Sequence, residues 1–596
     1  MNKRVIFFLF ACFVLSLSAV AQVTTSSVSG KVEAEGDPVI GAYVVALHTP
    51  SGTKYGAVTN NKGRYSIQGM RVGGPYTITI SYVGYRDFVR TDITLALGEP
   101  TEVNARLVEM NNVLDEVAVT GIATHGGNGA SSSFDLQQIQ NAPTVNRAIY
   151  DIAKLSPLVM DNKFGGISIA GANNRYNSFQ IDGMVSNDVF GLEGDGTNGG
   201  RAYGYSVPMD AVEQLQIAVS PFDVRQSGFT GGAINAITKS GTNKYTGTAY
   251  TYYTDENMYG RYSQQYRERQ PLTDETTKTF GGTIGGPIVK DKLFFFANLE
   301  YKKNEYPTSY AAGGADYFMT SEVAKAISDR YAEITGIRET YNRKNIEKKA
   351  LALLGRVDWN ISTRNKLSLR YQLNDSYSDK WTLGAHSFNF DNSSYRMVNK
   401  THTFSLEWNS HFRDNLYNEL RAGATLVRDD RDVKFQGPTI YITNAGLYDL
   451  ASGMEYTTDP VTGYKYGTNT INIGTEYSSG VNTLKQDIFT LEDNLSWYLG
   501  NHSITFGTHN EFYNMRNGFV QYANGEYAYN AGLTSFFNDT PSTYYYRYSD
   551  ASITGTTRWL TPFKAGQFGV YVQDKWEPSC VFHLIFCFCC LVSVYL

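Results

Sequence analysis

The feature of this sequence that most constrains its fold is an alternation of apolar and polar residues that recurs along its second half. A period of two places one set of side chains on each face of an extended strand. The segment 367–374 (Leu-Ser-Leu-Arg-Tyr-Gln-Leu-Asn) is typical, and the pattern returns at 404–409, 419–426 and 503–512. The sequence therefore predicts a large antiparallel β-structure.

The lengths of the connections between these segments indicate the architecture, because soluble β-sandwiches also alternate. The connections at 359–367, 408–416 and 498–502 each contain a turn of a few polar residues. The others are long and rich in Tyr, Asn and Gly, at about 304–349, 375–399, 429–482 and 515–564. Short turns at one rim and long loops at the other are typical of an outer-membrane barrel. The long loops are either ligand-binding surfaces or ordinary solvated loops.

Composition excludes several other classes of protein. Charged residues make up 18% of the 596 residues, against about 25% in an average soluble chain. The net charge of −5 gives no reason to expect a nucleic-acid partner. Outside the two ends there is no run of 18 apolar residues, so a helical membrane protein is excluded. An aromatic content of 14% supplies enough apolar surface to exclude intrinsic disorder.

The two ends of the chain differ from the rest. Residues 1–21 combine Lys3 and Arg4, an apolar run and an Ala-Val-Ala site, which predicts a secretory signal peptide cut before Gln22. Residues 22–579 contain no cysteine, which excludes a disulfide framework or a thiolate metal site there. The tail 580–596 is apolar and holds four of the five cysteines. It fits an interfacial segment, a metal cluster without recognisable ligand spacing, or, as we favour, a foreign segment from a shifted reading frame.

Residues 23–108 form a first predicted domain. Short strand patterns separated by turn residues predict a small β-sandwich. The order of four segments resembles that of the carboxypeptidase regulatory-like (carbohydrate-binding-like) domain, namely Gly30–Val32, Pro38–Val44, Thr59–Tyr65 and Val83–Tyr85. None of the eight histidines is followed by Glu three residues later, so the zinc site of a carboxypeptidase is not expected. We expect a periplasmic accessory module.

Residues 113–240 resemble the N-terminal part of TonB-dependent outer-membrane receptors. The range 122–240 has a helical pattern at 144–155 and Gly-bounded strand blocks, the last of which reads G-G-A-I-N-A-I-T-K-S-G. The resemblance implies a plug domain with the motif residues Ile181, Asp182, Gly183, Gly231, Gly232, Ile234 and Asn235. It also implies a TonB box within 113–121, formed by Asp115, Glu116, Val117, Ala118, Val119 and Thr120. Taken alone, this stretch is simply a strand, and Ala118 stands where a β-branched residue is usual.

Residues 244–579 are expected to form the N-terminal part of an outer-membrane β-barrel. The segments 285–296 and 571–576 are similar to barrels of the same receptor family, and the domain order resembles its Oar-like subgroup. We expect about 11 to 13 strands, roughly half of the 22 in plugged outer-membrane transporters. Because an open half-barrel would leave unpaired edges in lipid, the chain is expected to be the first part of a longer transporter.

The expected fold class is therefore all-β dominated: a small sandwich, an α+β plug and an incomplete antiparallel transmembrane barrel. The resemblance implies TonB-dependent active transport across the bacterial outer membrane. The ligand is not identified, and an oligosaccharide, a peptide or a metal chelate would fit. The implied partners are the TonB complex, outer-membrane lipid and, by analogy, a surface lipoprotein. No cofactor, metal, catalytic residue or nucleic acid is expected. The alternatives are a surface binding or adhesion protein without transport, and a non-functional truncated transporter.

Overall fold

The computed structural model describes most of the chain. The described residues are 23–98, 100–110, 130–144, 147–161, 166–194, 196–219, 221, 223–226, 228–258, 274–308, 310–314, 317–342, 345–381, 383–458, 469–576 and 584–595. They fold mainly as β-strands with a few short helices, which confirms the expected fold class. Within this part of the chain, no helix is long and apolar enough to cross a membrane.

The N-terminal domain is a sandwich of two β-sheets, as the sequence predicts. One sheet is built on the strand 26–34 and the other has four strands. Alternate residues of both sheets, including Val28, Ile67, Val44 and Ile78, fill one apolar core. Burial of this shared core holds the sheets together. The strands are Ser26–Ala34, Asp37–Pro38, Tyr43–His48, Thr53–Val58, Arg64–Met70, Gly73–Ser81, Phe88–Leu95, Pro100–Glu102 and Ala105–Leu107.

The central domain, residues 130–240, contains a mixed five-stranded sheet. Its strand order is Ser131–Phe134, Val212–Ala218, Ala233–Thr238, Ser178–Ile181 and Met184–Val185. A separate hairpin pairs Val159–Asp161 with Ile167–Ile169. The α-helices are Leu136–Asn141 and Ile149–Ala153, and single 3-10 turns lie at Asn174–Tyr176, Gly200–Ala202 and Met209–Ala211.

The helices of the central domain differ from the prediction. Of the helix expected at 144–155, the described residues form the part Ile149–Ala153. The sequence analysis missed the helix Leu136–Asn141, which begins at a capping box. In that box the Asp135 side chain accepts the Gln138 N–H, and the Gln138 side chain accepts the Asp135 N–H. Two otherwise unpaired donors are satisfied locally, so this six-residue helix begins without a strong apolar period.

The second half of the chain forms one antiparallel sheet, called the wall. Eleven strands of the described residues pair in chain order, and the first and the last of them do not pair with each other. Tight turns join alternate pairs of strands, as predicted at 408–416 and 498–502. The wall strands are Thr246–Asp255, Thr276–Val289, Leu293–Pro307, Asn345–Asn360, Asn365–Lys380, Tyr395–Arg413, Leu416–Asp432, Val481–Leu499, His502–Val520, Thr561–Trp576 and Leu584–Tyr595.

The wall has fewer strands before residue 578 than we expected. Ten described strands, rather than 11 to 13, lie between 244 and 578. The count was too high because individual strands reach 19 residues, about twice the 9–11 residues that cross a bilayer. The eleventh strand is Leu584–Tyr595, in the cysteine-rich tail, and it pairs with Thr561–Trp576. Three described cysteines of this tail form no disulfide bond, and the described residues contain no metal-holding group of His, Cys, Asp or Glu.

The two faces of the wall have the polarity expected for a membrane barrel. Apolar side chains such as Leu369, Phe404 and Trp408 are 44–47% exposed on the outer face. Charged side chains such as Glu419 and Arg421 are buried on the inner face. A soluble sandwich has the opposite arrangement, with its apolar face covered. This distribution distinguishes the barrel from the sandwich and assigns the outer face to lipid.

The long connections fold together into a separate unit, called the loop cap. A five-stranded sheet has the order Ser387–Asn389, Asn469–Ile473, Thr439–Ala445, Glu526–Tyr529 and Thr543–Tyr545. The helices Ser321–Thr335, Gly532–Phe537 and Ala551–Thr554, the 3-10 turn Asp391–Ser393 and the hairpin Leu447–Asp449 with Met454–Tyr456 complete it. Side chains from four loops, including Ile327, Phe388, Ile442 and Phe536, share one apolar core. The long connections are therefore not ordinary solvated loops.

Candidate functional site: the contacts of the central domain with the wall

The predicted motif residues of the central domain come together on two neighbouring strands. The strands Ser178–Ile181 and Ala233–Thr238 run parallel and are hydrogen-bonded to each other. Ile181 and Ile234 belong to the core of the domain, and Asn235 is buried beside them. The two motifs therefore form one structural unit, although they are far apart in the sequence.

Two predicted glycines lie where the backbone passes close to its neighbours. A Cβ atom on Gly231 would come within 3.0 Å of the Asn177 side chain, and one on Gly232 would come equally close to Ile169. Neither position has the positive φ that favours glycine. These glycines are therefore needed for space rather than for backbone conformation.

Asp182 joins the ends of the two strands. Its carboxylate accepts the backbone N–H of Thr238 at 2.8 Å and the Thr238 hydroxyl at 2.7 Å. Asp182 has φ 45° and Gly183 has φ 73°, so both lie in the left-handed region at the tip of the hairpin. Asp is one of the few residues other than Gly that adopts this conformation readily, and this explains the Asp-Gly pair of the motif.

The same Asp182 carboxylate faces two arginines of the wall. It lies 3.4 Å from Arg356 Nη1 and 3.4 Å from Arg370 Nε. Arg356 also pairs with Asp358 at 2.9 Å, and Arg370 Nη2 donates to the Ile181 carbonyl at 3.0 Å. All of these side chains are largely buried. The hairpin of the central domain is thus held by charged contacts that water does not screen fully.

A second charged cluster lies on the inner face of the wall. The Arg421 guanidinium pairs with Glu492 at 3.1 Å, with Glu407 at 3.3 Å and with Glu419. Glu492 also lies 3.5 Å from His509. Arg421 Nη2 donates to the hydroxyl of Thr24, a residue of the N-terminal domain, at 2.7 Å. This cluster therefore connects the wall with the N-terminal domain.

A third set of contacts lies near the end of the wall. Backbone N–H of Val224 donates to Gln573 Oε1 at 2.6 Å, and Asp223 lies 3.5 Å from Lys575. Burial alone would raise the pKa of Asp223, but the charges of Arg225 and Lys575 and hydrogen bonds from Arg225 outweigh it. They hold the pKa of this carboxyl far below its usual range, so Asp223 stays charged at this contact.

A small cavity lies between a loop of the central domain and the wall strands that lead to the loop cap. Four carboxylate side chains and one guanidinium line this cavity. The charged residues that line it are Asp188, Glu193, Arg201, Asp429 and Asp430.

Exposed tyrosines form two stacks on the edge of the loop cap. In one stack, Tyr522 lies between Tyr477 and Tyr545, with ring centroids 5.3 and 5.1 Å apart. In the other, Tyr544 lies 4.7 Å from Tyr527, and the series continues through Tyr546 and Tyr548. Adjacent residues of the edge strand Thr543–Tyr545 alternate in direction, so the stacks lie on opposite sides of this strand.

Comparison with known proteins agrees with this architecture. Residues 237–321 and 318–584 match a family described as an outer membrane beta barrel domain. The chain belongs to this outer membrane beta barrel family. Its place in the cell is therefore the outer membrane, as expected. Residues 27–108 match the carboxypeptidase regulatory-like domain, which confirms the resemblance of the first domain.

Individual known proteins resemble this outer membrane beta barrel protein at low sequence identity. TonB-dependent transporter Oar from Myxococcus xanthus is 26% identical over 257 residues, which cover 41% of this chain and 23% of Oar. The outer membrane transporter YddB from Escherichia coli has a TM-score of 0.53 at 16% identity and shares the fold. The match covers 78% of this chain and 56% of YddB. The siderophore receptor PirA from Pseudomonas aeruginosa has a TM-score of 0.41 at 14% identity, with 75% and 53% covered.

The structure also shows which site residues the sequence analysis missed. The predicted TonB box, Asp115–Thr120, lies outside the described residues. The wall arginines Arg356, Arg370 and Arg421 were not singled out, although Arg370 and Arg421 are polar members of alternating segments. A charge on the inner face of a predicted barrel strand is a signal that sequence analysis could use. Thr24 has no such signal, because its contacts come from distant strands.

Proposed function

We propose that this chain is the gate-bearing part of a TonB-dependent transporter of the bacterial outer membrane. In this proposal the central domain is the plug, and the wall is part of the barrel that surrounds it. The observation that carries the proposal is the burial of Asp182, at the tip of a central-domain hairpin, between Arg356 and Arg370 of the wall. The domain is thereby fixed against the inner face of the barrel. Transport makes and breaks no bond in the ligand, so the proposed activity is not enzymatic.

The chemistry of the interface suits a gate that opens and closes. Among the described residues, two buried wall side chains, Phe296 and Leu354, join the apolar core of the central domain, and Val224 packs against Tyr571 of the wall. The other contacts described above are ionic or hydrogen-bonded. Polar groups that separate in a wet lumen exchange protein partners for water, so each hydrogen bond contributes a net ~1 kcal/mol. A pulling force can break such contacts one after another, whereas a continuous apolar interface would have to separate as a whole.

The proposed point of attachment for this force is the TonB box, Asp115–Thr120. It lies between the last strand of the N-terminal domain, Ala105–Leu107, and the first strand of the central domain, Ser131–Phe134. An extended segment with β-branched residues can add a strand to the exposed sheet edge of a partner. The TonB energy-transducing complex is the proposed partner, and displacement of the plug is the proposed result.

The proposed surface for ligand capture is the loop cap. Its two stacks present uncharged aromatic faces, and Tyr544, Tyr546 and Tyr548 are 48–61% exposed. Such faces bind flat apolar groups through stacking and dispersion. They favour an oligosaccharide or a peptide with aromatic side chains as the ligand.

The loop cap also supports a second candidate function, surface binding without transport. A folded aromatic surface is sufficient for adhesion and requires neither a TonB box nor a plug. The two functions differ in their need for Asp115–Thr120, and this difference sets the test.

The test uses the full chain and the purified periplasmic C-terminal domain of TonB from the same organism as the probe. The variant Val117→Pro with Val119→Pro removes two backbone donors from the TonB box. The matched control, Val117→Ile with Val119→Ile, keeps both donors and the β-branched shape. We expect the control to bind the probe like the original chain and the proline variant to bind about tenfold or more weakly. Equal binding by both variants, or binding by neither, would exclude the proposed partner.

In bacterial cells that produce the transporter, the same segment distinguishes transport from capture. Deletion of Asp115–Gly121 is expected to abolish energised uptake while ligand binding at the cell surface persists. Unchanged uptake would contradict the transport proposal and leave surface binding as the function.

A further inference from the structure

The first described residues of the chain lie between the N-terminal domain, the central domain and the wall. Val23 and Thr24 precede the strand Ser26–Ala34 and are both buried. Val23 packs in a small apolar cluster with Val72 of its own domain and Ile237 of the central domain. These two residues therefore lie inside an interface, not on a free surface.

The Thr24 hydroxyl is the polar centre of this segment. It accepts a hydrogen bond from Arg421 Nη2 at 2.7 Å. It lies 2.9 Å from Glu407 Oε2 and 3.0 Å from Glu419 Oε1, and its single proton serves one of these carboxylates. Arg421 and Glu419 are almost completely buried. A small hydroxyl thus sits inside a charged cluster that bulk water does not reach.

Thr24 also touches the hairpin of the central domain that carries Asp182. A Cβ atom on Gly183 would lie 2.8 Å from Thr24 Cγ2 and 2.9 Å from Arg421 Nη1. The hairpin tip, Thr24 and the wall arginine are therefore in contact with one another. A movement of the hairpin changes the space that is available to Thr24.

Other polar contacts also join the N-terminal domain to the described residues of the central domain and the wall, several of them near the short-turn rim. Lys62 reaches Asn501 at 3.3 Å, and Thr53 accepts from Asn360 at 2.9 Å. Backbone N–H of Asn243 donates to the Pro50 carbonyl at 2.9 Å. Further contacts join Arg71 to the carbonyls of Ser240 and Gly241, Lys366 to the Tyr55 ring, and Gln216 to the Leu97 carbonyl. The Lys62–Asn501 hydrogen bond is exposed and contributes little, whereas the Gln216–Leu97 hydrogen bond is buried and also helps to hold the domain.

We propose that residues 23–25 are a latch that keeps the N-terminal domain seated on the short-turn rim while the hairpin is in place. Movement of the hairpin frees Thr24 from Arg421, and the domain then leaves the rim. Through this latch, the position of the plug determines whether the N-terminal domain, in the periplasm, stays on the rim. The inference rests on the proposed function only in that the hairpin moves during transport. The latch contacts themselves are present before any such movement.

The test follows the contact between the N-terminal domain and the rim by hydrogen exchange at one backbone amide. The Asn243 N–H bonds to Pro50 across the interface, whereas the Val39 N–H bonds to Val32 within the N-terminal domain. Hydrogen exchange of both amides is measured in the full chain. For Thr24→Val we expect Asn243 to exchange about tenfold faster, because Arg421 and one of the carboxylates each lose a buried hydrogen bond to the N-terminal domain, and Val39 to be unchanged. Thr24→Ser keeps the hydroxyl and should resemble the original chain. The control, Thr94→Val, lies at an exposed position of the same domain.

A second measurement separates unseating from unfolding. A short bismaleimide linker between cysteines at Thr53 and Asn360 ties the domain to the rim, in a chain whose natural cysteines are replaced by serine. In Thr24→Val this linker should restore slow exchange at Asn243. Fast exchange at both amides that the linker does not correct would mean that the variant unfolds the domain, and the latch would be rejected. Unchanged exchange at Asn243 would reject it as well.

A double-mutant cycle tests the link to the hairpin. Asp182→Asn weakens the hold of the wall on the hairpin and is expected to speed Asn243 exchange by several-fold. If the hairpin acts through Thr24, Asp182→Asn adds little to Thr24→Val. Fully additive effects would show that the hairpin and the N-terminal domain are held independently, against the proposal. No measurement in this set uses TonB or a ligand, so a failure here is distinct from a failure of the proposed function.

Discussion

Asp182 accepts both the backbone N–H and the hydroxyl of Thr238, a residue 56 positions further along the chain. This contact closes the parallel pair of strands that carries both motifs of the central domain. The same two oxygens of Asp182 also face Arg356 and Arg370 of the wall. One side chain thus fixes the inner geometry of the domain and its position against the wall.

Replacing Asp182 tests this double role. Asp182→Asn keeps an acceptor for Thr238 but removes the negative charge on the hairpin that Arg356 and Arg370 face. Breaking a buried pair from one side costs about 3–5 kcal/mol, so we expect the central domain to leave the wall more often while its own sheet survives. Limited proteolysis of the central domain in the folded chain measures this. Asp92→Asn, at an exposed position of the N-terminal domain, is the control, and equal cleavage of both variants would contradict the prediction.

The motif glycines give a prediction about space. Gly232→Ala places a methyl group within 3.0 Å of Ile169, and the Ala218 carbonyl at 3.1 Å blocks relief. Overpacking of this kind costs about 1–3 kcal/mol. Gly355→Ala is the matched control, because a Cβ atom there meets nothing within 4 Å. Urea unfolding of the central domain should show a lower midpoint for Gly232→Ala only. A midpoint equal to that of Gly355→Ala would show that the strand moves to accommodate the methyl group without a loss of stability.

The wall and the central motifs could be predicted from the sequence because their signals are local. A strand such as Leu416–Asp432 shows its two faces in its own alternation. The Asp-Gly pair at 182–183 shows its turn in the residue types themselves. In both cases the physical cause lies within a few residues, so one sequence is sufficient.

The loop cap and the Thr24 contacts could not be predicted in this way. Phe388 and Phe536 share a core, but they belong to different loops that alternate with wall strands, and neither loop has a long apolar period. Thr24 bonds to residues 383 to 397 positions away. Contacts of this kind depend on the register of the whole wall. Only the assembled strands bring these residues together.

The tyrosine stacks give a prediction about ligand capture. Tyr545→Ala removes the end ring of the stack with Tyr522, and we expect about tenfold weaker binding of oligosaccharides or aromatic peptides that the full chain captures on an array. Tyr253→Ala, an exposed residue of the wall strand Thr246–Asp255, is the control. Equal losses in both variants would mean that the stacks are not the binding surface.

The loop cap should also lose stability as the pH rises. Burial raises the pKa of Glu339 to about 7, although the backbone N–H groups of Asn392 and Gly474 partly oppose this by bonding its carboxylate at 2.8 Å. Burial, followed by the charge of Glu476, raises the pKa of Glu526 to about 7 as well. Because the folded state holds these protons more tightly, their stabilising effect is complete below about pH 4.5 and is lost as the pH rises through 7.

For Glu339 the full difference is roughly 3 kcal/mol between those limits. Proteolysis of the loop cap in the folded chain should therefore be faster at pH 8 than at pH 5, after correction for the protease's own pH dependence. Glu339→Gln cannot ionise, so it should reduce this pH dependence even though it loses one of the two backbone hydrogen bonds. Glu322→Gln, at an exposed position of the helix Ser321–Thr335, should leave the dependence unchanged. A loop cap that is equally resistant at both pH values would contradict this prediction.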